Sequence, residues 1–170
     1  MPDDALDGLL RLHAVVDELV APLVSRHAAR LKCAPGCAAC CVDGLTVFEV
    51  EAARISSEAP QVLAQPPGPL GACAFLDAAG ACRIYAQRPY VCRTQGLPLR
   101  WVEARGRRVV ERRDICPLNA PGEPIESLHK DDCWPLGLVE ARLGALQDRV
   151  DGGARRRVAL RALFGEQEQV

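Results

Sequence analysis

The chain has 170 residues, 49% of them hydrophobic, nine cysteines and a formal net charge of −1. That length fits one domain with a genuine core, and so small a charge excludes a general electrostatic affinity for nucleic acid or anionic membrane. No apolar stretch reaches the ~20 residues needed to span a bilayer.

The start of the chain carries Asp3, Asp4 and Asp7. This is the opposite of the basic start of a secretory signal, and predicts a cytoplasmic protein. Leu6, Leu9, Leu10, Val16, Leu19, Val20, Leu23 and Val24 recur near the helical period, predicting an amphipathic helix over 6–31 that Pro22 kinks or splits. Cys33-Ala-Pro-Gly-Cys37-Ala-Ala-Cys40-Cys41 follows as an irregular loop bent by Pro35 and Gly36. Thr46 and Glu49 have the spacing of a capping box, which predicts a helix through Ala52, Ala53 and Ile55 to about Glu58. Residues 60–71, rich in Pro and Gly, read as a surface loop.

Residues 73–77 and 81–85 flank the turn Ala78-Ala79-Gly80 and read as a short hairpin with one cysteine on each arm, Cys73 and Cys82. Cys92 lies in the next turn. Residues 97–102 and 107–112 predict a second hairpin across Arg105-Gly106. Cys116-Pro117 opens an irregular stretch. Pro135 suits the first turn of a helix running to about Val150. Gly152-Gly153 breaks it, and residues 154–164 predict a final basic helix. The resulting fold class is α+β, mostly helical: a small domain whose terminal helices flank cysteine-rich loops and short hairpins.

Thiolates are soft ligands suited to zinc, copper(I) or iron clusters. In a reducing cytosol such a density of cysteines favours metal or redox chemistry over disulfides, and the odd count also fits disulfides poorly. One zinc or one [4Fe–4S] cluster takes four thiolates, so nine exceed a single site. In extended backbone, neighbouring side chains point to opposite sides; Cys40 and Cys41 are therefore expected to serve two metals, a bridged site, or one metal with one free thiol. The expected site joins the N-terminal run to the hairpin cysteines. The spacing Cys33-x3-Cys37-x2-Cys40 also matches the cluster motif of radical S-adenosylmethionine enzymes. Ala39 stands where that family usually has an aromatic residue, however, and the rest of the chain shows no βα alternation.

Cys37-x2-Cys40-Cys41, Glu51-Ala-Ala-Arg-Ile55, Cys73-Ala-Phe-Leu and Cys82-Arg-Ile-Tyr85-Ala-Gln-Arg88-Pro89-x2-Cys92-Arg93 together resemble the YkgJ-type cysteine-cluster family, the zinc- or iron-chelating CxxCxxCC domain. The resemblance covers roughly 33–120, and it implies metal ligation by Cys33, Cys37, Cys40, Cys41, Cys73, Cys82, Cys92 and Cys116. Cys33 departs from the pattern by one extra residue in the first gap. The implied organisation is a helical segment over 1–32, a metal-binding region over 33–120 and a helical segment over 121–170 of one domain.

Arg83, Arg88 and Arg93 lie among the thiols, either tuning them from behind or capping turns. Tyr85 is expected to pack with its hydroxyl bonded. His129, four residues before Cys133, is a candidate metal clip but reads more simply as a surface histidine. His13 and His27 border the first apolar stripe, and Arg155–Arg157 read as a solvated helix face. The expected function is zinc or iron binding, an iron–sulfur cluster included, in a structural or metal-handling role. A metal ion is the expected partner, with no nucleic acid and no membrane, and the sequence names no protein partner. The alternatives are an iron–sulfur oxidoreductase or metal-dependent protein-modifying enzyme, and a redox-sensing thiol protein.

Overall fold

A computed structural model of the chain describes residues 3–165. Helix α1 (Asp3–Arg26) opens it. Strand β1 (Thr46–Phe48) leads directly into α2 (Glu49–Glu58), and α3 (Pro60–Leu63) is a single turn. The short α4 (Tyr90–Thr94) precedes β2 (Leu99–Arg105) and β3 (Arg108–Asp114). Strand β4 (Trp134–Pro135), α5 (Leu138–Asp151) and β5 (Arg157–Ala159) follow, and a 3-10 turn over Leu160–Phe164 closes the described chain. Helix accounts for 41% and strand for 16%, so the fold is α+β with helix leading rather than dominating.

The strands form two sheets: β1 pairs antiparallel with β5, and β3-β2-β4 forms the other, with β2 parallel to β4. The expected second hairpin is present as β2–β3, with arms about two residues further along the chain than the sequence suggests and a register from Leu99↔Asp114 to Arg105↔Arg108. No described helix is long and apolar enough to cross a membrane.

Helix α1 runs through Pro22. Proline removes one i→i−4 hydrogen bond, but Pro22 is exposed, so water can satisfy the carbonyl left free. Leu9, Leu12, Val16 and Leu23 form the buried stripe of α1 and pack with Val139 and Leu143 of α5, Tyr90, Leu99 and Trp134 in one core. A second core gathers Val47, Ala52, Ile55, Cys73, Phe75, Leu76, Ile84, Leu160 and Phe164. Helix α2 divides the two: Val50 faces the first core, Ala52 and Ile55 the second.

Pro135 pairs in β4 rather than opening a helix, so α5 starts only at Leu138, and the expected 60–71 loop begins with the turn α3, where Pro60 suits the first helical position. Two larger sequence expectations also fail for identifiable reasons. Thr46 lies in β1, and α2 has no side-chain cap of its own. Its start is capped from α5 instead: Gln147, fully buried, accepts the Val50 N–H at 2.9 Å. The predicted basic helix over 154–164 is β5 and the 3-10 turn. Its arginines pair with carboxylates of the folded chain: Arg155 with Asp148, Arg156 with Glu49, Arg157 with Glu140 and Arg161 with Asp43. Arg161 also donates to the carbonyls of Gly68, Pro69 and Ala72, fastening the 43 and 68–72 loops to the last turn.

A buried polar network joins three helices. Arg54 donates to His13 Nδ1 at 2.7 Å, which leaves the proton on His13 Nε2, facing Glu51 at 3.3 Å. Glu51 accepts the backbone N–H of Tyr90 at 2.7 Å, so the network fixes where α4 begins.

Candidate metal centre

The second core opens into a cavity of about 530 Å³. Cys33, Cys37, Cys40, Cys41, Cys73, Cys82 and Cys92 line it, seven of the nine cysteines, with Phe75, Leu76, Ile84 and Leu160 as apolar wall. All nine cysteines are unpaired thiols.

The thiols reach the wall by several local devices. Cys37 follows a turn closed by its N–H on the Ala34 carbonyl, and Cys41 follows one closed on Ala38, both at 2.9 Å. The Cys40–Cys41 pair is therefore in turn rather than extended backbone. The expectation of opposed side chains, which rests on extended backbone, therefore loses its premise for this pair. The Cys73 N–H donates to the Cys41 carbonyl at 2.9 Å, docking the second cysteine loop on the first. The predicted hairpin over 73–85 reverses as expected but is reduced to one bridge, Leu76↔Cys82. Cys92 rides on α4, whose first amide is held by Glu51.

Cys33 is exposed at the mouth, held from behind by Asn119. Gly96, with φ of +95°, lets the backbone pass beneath it; a Cβ there would lie 2.6 Å from the Cys33 sulfur. Cys116 is not part of the cavity wall. It sits beside Cys40, close enough that repulsion between the two thiolates helps raise the Cys40 pKa, after burial.

The apolar wall keeps Cys41, Cys82 and Cys92 protonated when unligated. Burial pushes the Cys92 thiol up to about 12, with Cys73, Cys82, Cys41 and Cys40 adding repulsion. Burial likewise raises Cys41 to about 12, with Cys40, Cys73 and Cys82 contributing. Cys82 is raised by burial too.

Arg88 is the cationic side chain in the cavity wall; its guanidinium stacks 3.7 Å from the Tyr85 ring centre, and its buried Nε has no partner. Tyr85 is 65% exposed at the mouth rather than packed. Arg93 turns away to Asp17 of α1 and the carbonyls of Arg88 and Ala86, and Arg83 stacks on Phe164. Cys133 is buried elsewhere, near Arg113 and Arg100, while His129 is exposed and pairs with Asp131. That pair forms no clip.

The donor chemistry fits zinc or iron: soft thiols, unpaired, on a single cavity. Among the described residues no three Cys, His, Asp or Glu side chains converge as a preformed site. Sequence reasoning missed Asn119, Gly96 and Arg161. Asn119 and Arg161 act through contacts 86 and 118 residues away, and neither residue type signals that alone.

A cavity walled by reduced thiols is the mark of a chelating domain. The CxxCxxCC family model, described as "Putative zinc- or iron-chelating domain", matches residues 32–117, just over half of the chain. The chain belongs to this family. No curated protein and no solved structure matches it.

Proposed function

We propose that this is a metal-binding protein whose multi-cysteine cavity holds zinc or iron in a structural or metal-handling role. The observation that carries the reading is that seven unpaired thiols, from four separate stretches of chain, line one cavity. In a cytoplasmic setting the thiols stay reduced and available. Cys33, Cys37, Cys40, Cys41, Cys73, Cys82 and Cys92 supply the ligands, with Cys116 joining from beside Cys40. The loops bearing them are irregular, so ligation draws them inward and couples metal binding to their ordering. When bound, the metal supplies a cross-link between loops that have few backbone bonds of their own. An iron–sulfur cluster is a finer version of the same reading: the cavity is roomy, and Arg88 would offset thiolate charge from the wall.

Metal analysis with a visible spectrum on anaerobically purified protein tests this. Zinc gives a colourless protein, and an iron–sulfur cluster a brown one with broad visible absorption. Protein that retains no stoichiometric metal, and takes up none when offered zinc or iron, would sink the proposal.

A further inference from the structure

Of the seven thiols on the cavity wall, Cys33 alone is exposed. It is also the one least tied down. Cys37 closes a turn with its own N–H, and beside it Gly36 passes Gly80 so closely that a Cβ on Gly80 would lie 3.1 Å from the Gly36 carbonyl oxygen. Cys40 and Cys41 share the next turn. The Cys73 amide is bonded to Cys41, Cys82 forms a β-bridge, and Cys92 sits on the helix whose first amide Glu51 holds. Among the described residues the backbone of Cys33 hydrogen-bonds to no other residue, and one contact from Asn119 at 3.4 Å restrains its sulfur.

The charge around the opening is one-sided. Among the described residues the cavity wall carries one charged side chain, Arg88, and no carboxylate. The Arg88 guanidinium stacks on Tyr85 at the mouth, and its buried Nε has no hydrogen-bond partner. Lys32, exposed and adjacent to Cys33, turns its ammonium to the Ala29 carbonyl. Asp77, in the turn that carries Gly80, spends its Oδ1 on the amides of Ala79 and Ala81. An opening of this sign repels a hydrated divalent cation and attracts an anion. A metal ion wrapped in small anionic thiols is such an anion.

We propose that Cys33 is the entry ligand of the cavity: it takes zinc or iron from a small anionic thiolate complex and passes it to the thiols behind. This rests on the metal-chelating reading above and names the form in which the metal arrives. In the step, one metal–sulfur bond to the donor breaks and one to Cys33 forms. The Cys33 proton leaves on the donor thiolate, and no electron is transferred. Repeated with a thiol deeper in the wall, the exchange returns that thiol's proton to Cys33. A hydrated ion sheds water without an attacking sulfur, so its uptake depends less on Cys33 than uptake from a thiolate complex does.

The test uses the full chain, reduced, metal-free and anaerobic. Zn(II) is supplied as a simple salt, in excess glutathione, or in excess cysteamine, whose ammonium makes the complex cationic. Protein-bound zinc is measured at timed intervals after rapid desalting. The wild type should load faster from glutathione than from cysteamine, and added salt should narrow the gap. Cys33→Ser should slow loading from both thiol donors more than loading from the salt. Cys33 is exposed and a serine oxygen still accepts from Asn119, so the circular dichroism spectrum should match wild type. Arg88→Gln should cut the glutathione-over-cysteamine rate ratio roughly tenfold at low salt. A Cys33→Ser chain slowed equally for all three donors, or for none, would overturn the entry role. Equal wild-type rates from glutathione and cysteamine at low salt would overturn delivery as an anion. Uptake from the zinc salt alone would overturn thiolate delivery and leave the metal-chelating reading standing; no uptake from any donor would overturn that reading itself.

Discussion

Asn119 donates its side-chain amide to the sulfur of Cys33 at 3.4 Å and to the Gly96 carbonyl at 2.8 Å, while its oxygen accepts the Lys32 N–H at 2.8 Å. One fully buried side chain thus ties the entrance of the cysteine run to two other segments. Asn119→Ala strands the Gly96 carbonyl and the Lys32 amide away from their partner. The expected cost is about 1–3 kcal/mol, read as a lower urea midpoint at equal metal loading. An unchanged midpoint would show that water replaces the amide freely.

Gly96→Ala attacks the same place from the opposite side. A residue with a Cβ is strained at this φ by roughly 1–2 kcal/mol, and the methyl would meet the Cys33 sulfur. The sulfur must swing outward. Cys33 should then be alkylated faster than in the wild type, with the rate at Cys92 unchanged, as followed by peptide mass spectrometry.

Acid should weaken the fold through His13. Burial is the main cause that lowers its pKa below 6.5; Arg93 and Arg54 act in the same direction, and Glu51 opposes them. The folded chain keeps the imidazole neutral, whereas the unfolded chain protonates it below 6.5. The unfolded state therefore binds more protons, and stability drops as pH falls through 6.5 toward the folded pKa. Between about pH 7.5 and about pH 5.5 the wild-type urea midpoint should fall further than that of His13→Gln. Parallel slopes for the two proteins would rule the imidazole out as the cause.

Stripping the metal should loosen one half of the molecule. The α1–α5 core shares no buried side chain with the cysteine-lined core. Hydrogen exchange after chelation should accelerate over residues 33–45 and 72–92 and stay near its loaded rate in the middle of α1 and α5. Uniform acceleration would mean that the two cores unfold as one.

The reach of sequence reasoning is visible in particular residues. The α1 stripe through Leu9, Leu12, Val16 and Leu23 and the β2–β3 hairpin were legible because helical period and strand alternation are local signals. The cysteine loops were legible as chemistry, since thiols are rare and clustered. The start of α2 was not, because its cap, Gln147, lies 97 residues away. Nor was the end of the chain: Arg155–Arg157 have helical company in sequence, yet β1 offers a strand edge and Asp148, Glu49 and Glu140 offer partners. The backbone at Cys40 and Cys41 was misjudged because a turn, not a strand, carries them.

The grip of Arg161 on Asp43 and on the carbonyls of Gly68, Pro69 and Ala72 sets an order of events. Cys41 and Cys73, which adjoin the two stretches that Arg161 clasps, are synthesised well before it. During synthesis these two thiols therefore emerge onto slack loops, where a growing chain is most open both to metal capture and to oxidation, and the later clasp secures whichever has happened first.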